Sequence, residues 1–316
     1  MFRTVARCFL AALLCASALI AHADFPDRPI RIVVPYAAGG PTDIHARIIA
    51  RLLSEQLGGP VLVDNRPGAN GVVGTSVVAK ATADGYTLSY NVVSLLSKVY
   101  LKDPPFDLLK DFEPIGAVYR GPQMLVVSSQ VPATTVAELI AHAKANPGKL
   151  NYSTGTAVTT LSMERLKATA GINIVQIPYK GAGPAVAALG ANEVQVTVSS
   201  LTAFAPLVQA GKARILAVLG DKRMAAVPNV PTIHEAGFNI NSQFTFGVFG
   251  PAGIPKPVLD KLRDAMTKVA ANPQMQQAVR DAGTPLLVPP DQLWKIVGEE
   301  IAAAAAAAKL ANYVPE

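Results

Sequence analysis

Three short segments combine glycines, hydroxyls and a following helix start: Tyr36-Ala-Ala-Gly-Gly-Pro-Thr-Asp43, Tyr152-Ser-Thr-Gly-Thr-Ala157 and Pro178-Tyr-Lys-Gly-Ala-Gly-Pro184. Glycine lets a backbone approach a ligand closely, and Ser or Thr adds neutral donors. A helix N-terminus brings free N–H groups and the positive end of its dipole. These are the ingredients of an anion site. Any one of the three is equally an ordinary glycine turn. Three of them at strand-to-helix junctions point to a cleft, because open α/β sheets bind ligands beyond the carboxyl ends of their strands.

Residues arranged for covalent or metal chemistry are missing. No serine sits in Gly-x-Ser-x-Gly, so there is no nucleophile elbow. His234-Glu235 is not followed by a second His, and His45 and His142 lack metal-ligand spacing. Both lie in predicted helices and are expected on the surface. Gly181-Ala-Gly183 lacks the third glycine of a dinucleotide fingerprint, and no Walker-type Lys follows a glycine loop. The expectation is therefore binding rather than catalysis, with no cofactor, no metal and no catalytic residue. An exported hydrolase using the same cleft is the alternative.

The chain that carries these loops has 316 residues, of which 50% are hydrophobic and 16% charged, which excludes an acidic or low-complexity disordered protein. Its beginning has the form of an export signal. Arg3 and Arg7 precede an apolar run from Cys8 to Ile20, and Ala21-His22-Ala23 offers a small-x-small cleavage site. The run is shorter than the roughly 20 residues needed to span a bilayer. Cleavage after Ala23 would release a periplasmic protein. Loss of the two arginines would lower the formal charge from +6 to +4. Cys8 and Cys15 would leave with the signal, and with them any disulfide or thiol chemistry. The mild basic excess is not clustered; Lys222-Arg223 is read as a solvated loop, and no nucleic-acid partner is expected.

The elements that must position the loops alternate. Ile30 to Val34 is a β-rich run, after which Ile44, Ile48, Leu52 and Leu57 recur at helical spacing until Gly58-Gly59. Val61–Val63, a helix over Gly71–Ala81 and Thr87–Tyr90 follow. A second unit starts with the strand Met124–Ser128 and a capping box at Thr135 and Glu138. Further strands are expected at 150–152, 174–177, 194–198, 215–218 and 245–249, and the tail from Pro257 is expected to be mostly helical. So many alternations predict two α/β lobes, each a mainly parallel sheet flanked by helices, with two crossover strands as the hinge. The expected division is 24–125 plus 245–316 for the first lobe and 126–244 for the second.

At the loops a family resemblance becomes specific. Asp27 to Asp43 resembles the opening of the Bug-type extracytoplasmic solute receptors associated with tripartite tricarboxylate transporters. Asp64-Asn-Arg-Pro-Gly-Ala-Asn-Gly71, Ala83-Asp-Gly-Tyr-Thr-Leu88, Pro147 to Tyr152, Pro178 to Gly181, Val230 to Gly237 and Gly250 to Gly253 continue the match in order. The resemblance implies a two-lobed periplasmic binding protein of type II-like fold, monomeric, closing on a di- or tricarboxylate or an aromatic acid. It implies membrane components of a tripartite transporter, or a sensor kinase, as partners; a role in signalling alone is a further reading. Carried over by position, Tyr36, Ala38, Gly39, Gly40, Thr42 and Asp43 would hold one carboxylate, with Asp43 capping the helix or orienting a water. Ser153, Thr154, Gly155, Thr156 and Thr160 would face the ligand from the other lobe, with Tyr179 and Lys180 nearby. Relatives often carry Gly at the position of Pro41, Ser-His at Thr159-Thr160 and Asp at Ser199-Ser200. Without that Asp, an ammonium group is disfavoured, and Ser199 and Ser200 would receive an anionic or neutral polar group. Phe246, with Phe244, would form an apolar wall. On this placement Gly39→Asp is expected to abolish carboxylate binding and leave the fold intact.

Overall fold

A computed structural model of the protein describes residues 25–92, 97–280, 283–286 and 288–315; the expected signal segment lies outside them. The chain opens with β1 (Ile30–Val34), α1 (Pro41–Leu57), β2 (Val61–Asn65), a 3-10 turn (Ala69–Gly71), α2 (Val72–Ala79) and β3 (Thr87–Val92). β1 pairs in parallel with β2 and β3, placing Ile32 between Val63 and Leu88. Then comes β4 (Phe112–Pro122), which passes through the single residue Gln123 into β5 (Met124–Ser128).

The second unit continues through α3 (Val136–Ala145), β6 (Asn151–Thr154), α4 (Ala157–Ala170), β7 (Val175–Pro178) and α5 (Ala182–Gly190). It ends with β8 (Val196–Ser199), α6 (Leu201–Gln209) and β9 (Ala213–Val218). The chain returns as β10 (Gln243–Pro251) and finishes with α7 (Lys256–Ala271), α8 (Pro273–Arg280), β11 (Thr284–Pro285) and α9 (Pro290–Leu310). No helix among the described residues is long and apolar enough to cross a membrane.

Two sheets result, in the orders β11-β4-β10-β3-β1-β2 and β7-β6-β8-β5-β9. Each has a parallel three-stranded half, as the β-α-β rhythm predicts, and an antiparallel remainder formed around the crossings. The strands at 124–128 and 243–251 each belong whole to one sheet, so the crossings themselves fall at Gln123 and Ser242. Both sheets have cores on the faces that their pleats dictate. Along β5, Leu125 and Val127 enter one hydrophobic cluster while Met124 and Val126 enter another on the opposite face. All four are fully buried, at roughly 1.5–3 kcal/mol for each Val, Leu or Met removed from water.

Two sequence expectations change here. β4 is a strand that composition conceals: Pro114, Gly116 and Gly121 resemble breakers. Yet a Cβ on Gly116 would lie only 3.0 Å from Met266 Cβ, so the glycine lets α7 lie close against the strand. His45 is not a surface residue. It is 0% exposed, edge-on to Tyr119 at 5.0 Å and to Phe246 at 6.4 Å. Burial pushes its imidazole down to about 4. The buried face of α1 runs through His45, Ile49, Leu52 and Leu53, whereas Ile44 is exposed.

Candidate ligand-binding cleft

The loop after β1 owes its shape to Gly39, whose φ of 86° is left-handed. Its N–H donates to Asp43 Oδ2 at 3.0 Å, and Arg47 donates to the same oxygen through Nε at 3.1 Å. Burial pushes the Asp43 carboxyl up. Hydrogen bonds from Arg47, the Gly39 N–H and Asn65, with the Arg47 charge, outweigh that and hold it below the usual carboxylate range. Asp43 is thus a charged brace for its own loop.

Beyond this brace, α1 begins at the N-cap Gly40, with Pro41 at its first position and no side-chain cap. α5 and α6 likewise begin at Gly181 and Ser200 without a side-chain cap. The first-turn N–H groups of such helices have no intrahelical acceptor. α4 differs, because Thr156 and Thr159 form a reciprocal capping box there, with bonds of 3.2 and 3.4 Å. The starts of all four helices line one cavity, through Gly40, Thr42, Thr156, Thr159, Ala182 and Ser200.

Val92, Val158, Phe244 and Phe246 supply its apolar wall, and Tyr36, Ala37, Pro41, Gln123 and Ser199 complete the lining. The room it leaves for the centres of water-sized molecules is about 40 Å³. None of these lining residues is Lys, Arg, His, Asp or Glu. Phe246 is held by Tyr119, which stacks on it at 4.6 Å and 10°. Ser200 Oγ and Tyr36 Oη are buried without a hydrogen-bond partner among the described residues.

The two lobes touch at the loops. The Ala37 N–H donates to the Lys180 carbonyl at 3.2 Å. A Cβ on Gly40 would lie 3.2 Å from Gly183 N, one on Gly183 3.0 Å from the Ala38 carbonyl, and one on Gly181 3.2 Å from Tyr36 Cβ. At the opposite end both crossings meet. Gln123 N–H donates to the Ser242 carbonyl at 2.9 Å, and Leu219 N–H donates to the Gln123 carbonyl at 2.7 Å.

Of the residues expected from sequence, the structure brings Tyr36, Gly40, Thr42, Thr156, Ser199, Ser200 and Phe246 to the cavity. The others do not line it. Ala38 and Gly39 are exposed. Asp43 is turned onto its loop. Ser153 Oγ donates to Thr197 Oγ1 at 2.7 Å inside the sheet. Thr154 accepts from Gln176 at 3.2 Å, and Thr160 donates to the Thr156 carbonyl at 3.3 Å. Gly155 is pressed against the Gly181 carbonyl. Tyr179 is half-buried, and Lys180 is exposed and contributes its carbonyl to the interlobe bond.

Gly39 itself does not line the cavity; a Cβ there would meet nothing within 4 Å, and its left-handed φ of 86° strains any substitution. Sequence reasoning missed Ala37, Pro41, Val92, Gln123, Val158, Thr159 and Ala182. One signal was present, a lone polar residue at Pro122-Gln123-Met124 between two apolar runs.

Residues 45–312 match the model of the tripartite tricarboxylate transporter family receptor. A UPF0065 protein from the gbd 5' region of Cupriavidus necator is 38% identical over 283 residues, covering 87% of this chain and 86% of that protein. The periplasmic binding protein BugD superposes with a TM-score of 0.88 at 31% identity, over 92% of this chain and 100% of that one. An R. palustris protein solved with adipate gives 0.87 at 33% identity, over 93% and 100%. The matched family is one of transporter receptors, and BugD is a periplasmic binding protein. The chain therefore belongs to the Bug-type receptor family of the tripartite tricarboxylate transporters, the periplasmic solute-binding proteins.

Proposed function

We propose that the protein captures a small organic carboxylate between its lobes and passes it to the membrane components of a tripartite transporter. The observation that carries this reading is the meeting of three uncapped helix N-termini at a cavity with no charged side chain among the described residues that line it. An anion there is held by N–H groups of Gly40, Thr42, Ala182 and the Ser200 turn and by the Ser200 hydroxyl, with Phe244 and Phe246 against its carbon skeleton. In this reading the lobes are 24–122 plus 243–316 and 124–242, and a periplasmic monomer begins at Asp24.

The energetics suffice without a salt bridge. Micromolar affinity corresponds to about 8 kcal/mol, and hydrogen bonds to a charged group contribute about 1.5–3 kcal/mol each. Three or four such bonds with apolar contact reach that figure after ordering losses. For the hydrolase alternative, none of the described residues lining the cavity is His, Asp or Glu, and His45 stands behind Phe246.

The test is a thermal-shift and calorimetric screen of mono-, di- and tricarboxylates, run beside a turnover assay on their esters. Stabilisation by an acid without ester cleavage supports the receptor. Cleavage, or no response to any acid, overturns it.

A further inference from the structure

Gln123 belongs to the cavity in a way that neither the glycine loops nor the helix starts account for. It is 1% exposed yet lines the cavity, and it occupies the crossing between β4 and β5. Its Oε1 lies 2.8 Å from Ser162 Oγ and accepts from Ser242 Oγ at 2.7 Å; the two hydroxyls are 2.7 Å apart, and Ser162 Oγ also donates to the Val158 carbonyl at 2.9 Å. Those hydroxyls come from α4 and from the return crossing, so they fix the amide from both sides. Its Nε2 carries no hydrogen bond among the described residues, which leaves two N–H donors on a buried, oriented amide at the cavity wall.

The strand orders say how far this amide is from the carboxylate loops. In the first sheet, the path from the β1 loop to Gln123 crosses β3, carrying Val92, and β10, carrying Phe244 and Phe246, before it reaches β4. In the second sheet, the path from the Ala182 loop after β7 crosses β6 and β8 before it reaches β5. Both paths are three strand positions long, about 14 Å at the usual interstrand spacing. Main-chain contacts of Ala37 with Lys180 and of Gly40 with Gly183 close the loop end. The crossings close the other. One cavity is thus lined by Gly40, Thr42, Ala182 and Ser200 from the loops and by Gln123 from the crossing, with Val92, Phe244 and Phe246 as its apolar wall.

Building on the carboxylate reading above, we infer that Gln123 recognises the far end of the ligand. The ligand is accordingly an elongated acid whose second terminus also carries an oxygen acceptor. Such a ligand makes a hydrogen bond at each end of the cavity, as a dicarboxylate such as adipate can. The same amide joins both crossings, so filling its free N–H valences ties ligand occupancy to the position of the hinge.

The experiment is calorimetric titration of adipate and of hexanoate, which lacks only the second carboxylate, into the wild type, Gln123→Met and Gln123→Glu. The wild type is expected to favour adipate at least tenfold. Gln123→Met should bring the two affinities within threefold of each other. Gln123→Glu keeps acceptor oxygens for Ser162 and Ser242 but sets a negative charge against the second carboxylate, so the preference should fall or reverse. Circular dichroism monitors folding, and if Gln123→Met does not fold, Gln123→Glu alone decides. A wild type that binds both acids equally overturns the inference, as does a tenfold preference that survives in the folded variants. A wild type that binds neither acid, while other carboxylates stabilise it, overturns recognition at two ends but leaves the carboxylate site standing. Failure with every carboxylate refutes the site itself, and the role of Gln123 falls with it.

Discussion

Replacing Gly183 by Ala separates closure of the lobes from stability of the fold. Gly183 is inside α5 and has no positive φ, so a methyl group suits its backbone and improves helix propensity by up to about 1 kcal/mol. The new Cβ, however, would face the other lobe. It would lie 3.0 Å from the Ala38 carbonyl oxygen, 3.1 Å from Gly40 N and 3.3 Å from Gly39 C. All three are main-chain atoms held by the Asp43 brace, so the lobes must separate by a few tenths of an ångström. The Ala37 N–H to Lys180 carbonyl bond, already 3.2 Å, would stretch. Such a bond contributes about 1 kcal/mol net, and overpacking costs about 1–3 kcal/mol. A penalty of about 2 kcal/mol on the closed state corresponds to about 30-fold weaker binding. The variant should therefore bind adipate about 30-fold more weakly while the unliganded protein melts at or above the wild-type temperature. Calorimetry and thermal unfolding measure the two quantities independently. Affinity within twofold of the wild type would show that this loop contact is not part of ligand closure.

Other outcomes follow from buried charge. His45 binds a proton at ordinary pH only when unfolded, because burial holds the native imidazole down to about 4. Between pH 6.5 and 4 the unfolded state binds more protons, so stability should fall with falling pH by on the order of 3 kcal/mol. Urea unfolding of His45→Leu should lack that segment of the profile; parallel curves would contradict the buried neutral ring. Asp43→Asn should cost about 1 kcal/mol at pH 7, modest because the Arg47 side chain is 58% exposed. The native carboxyl is depressed, so its stabilisation is fully present above the unfolded pKa of about 4 and is lost as pH falls through the lower native value. The difference from the wild type should shrink steadily as pH falls below about 4, and a gap that does not change with pH would refute the brace. Glu300 accepts from Thr245 Oγ1 at 2.7 Å and pairs with Arg120 Nε at 3.1 Å. Glu300→Leu should lower stability by about 2–3 kcal/mol in denaturant unfolding, and a change below 0.5 kcal/mol would show that α9 is held by apolar contact alone.

Local patterns were legible wherever one physical signal dominated. β1 and β5 have the bounds that their apolar runs suggest, and a helix follows each glycine loop as expected. The box at Thr135 is shifted in part: Glu138 N–H donates to Thr135 Oγ1, but the Glu138 carboxylate reaches back to Thr134. β4 escaped because its glycines and Pro114 serve packing rather than turning. His45 escaped because Ile44 and Ile48 gave a helical stripe one residue out of phase with the buried one. The site was legible as a set of loops, not as side chains. Which hydroxyl of Ser153-Thr154-Gly155-Thr156 faces the cavity depends on strand ends and caps, and these consume Ser153 and Thr154 internally. Gln123 was hidden because its neighbours Ser162 and Ser242 are far away in sequence.

The interlobe bridge is made by the carbonyl of Lys180, while the ammonium group of that residue is in solvent. Nature and experimenter alike are free to change the side chain without disturbing the bond beneath it. No cysteine occurs beyond Cys15, so a thiol introduced at 180 would be unique among residues 16–316. It would ride on the rim where the halves meet, and a dye attached there would register each opening and shutting of the receptor as a change of light.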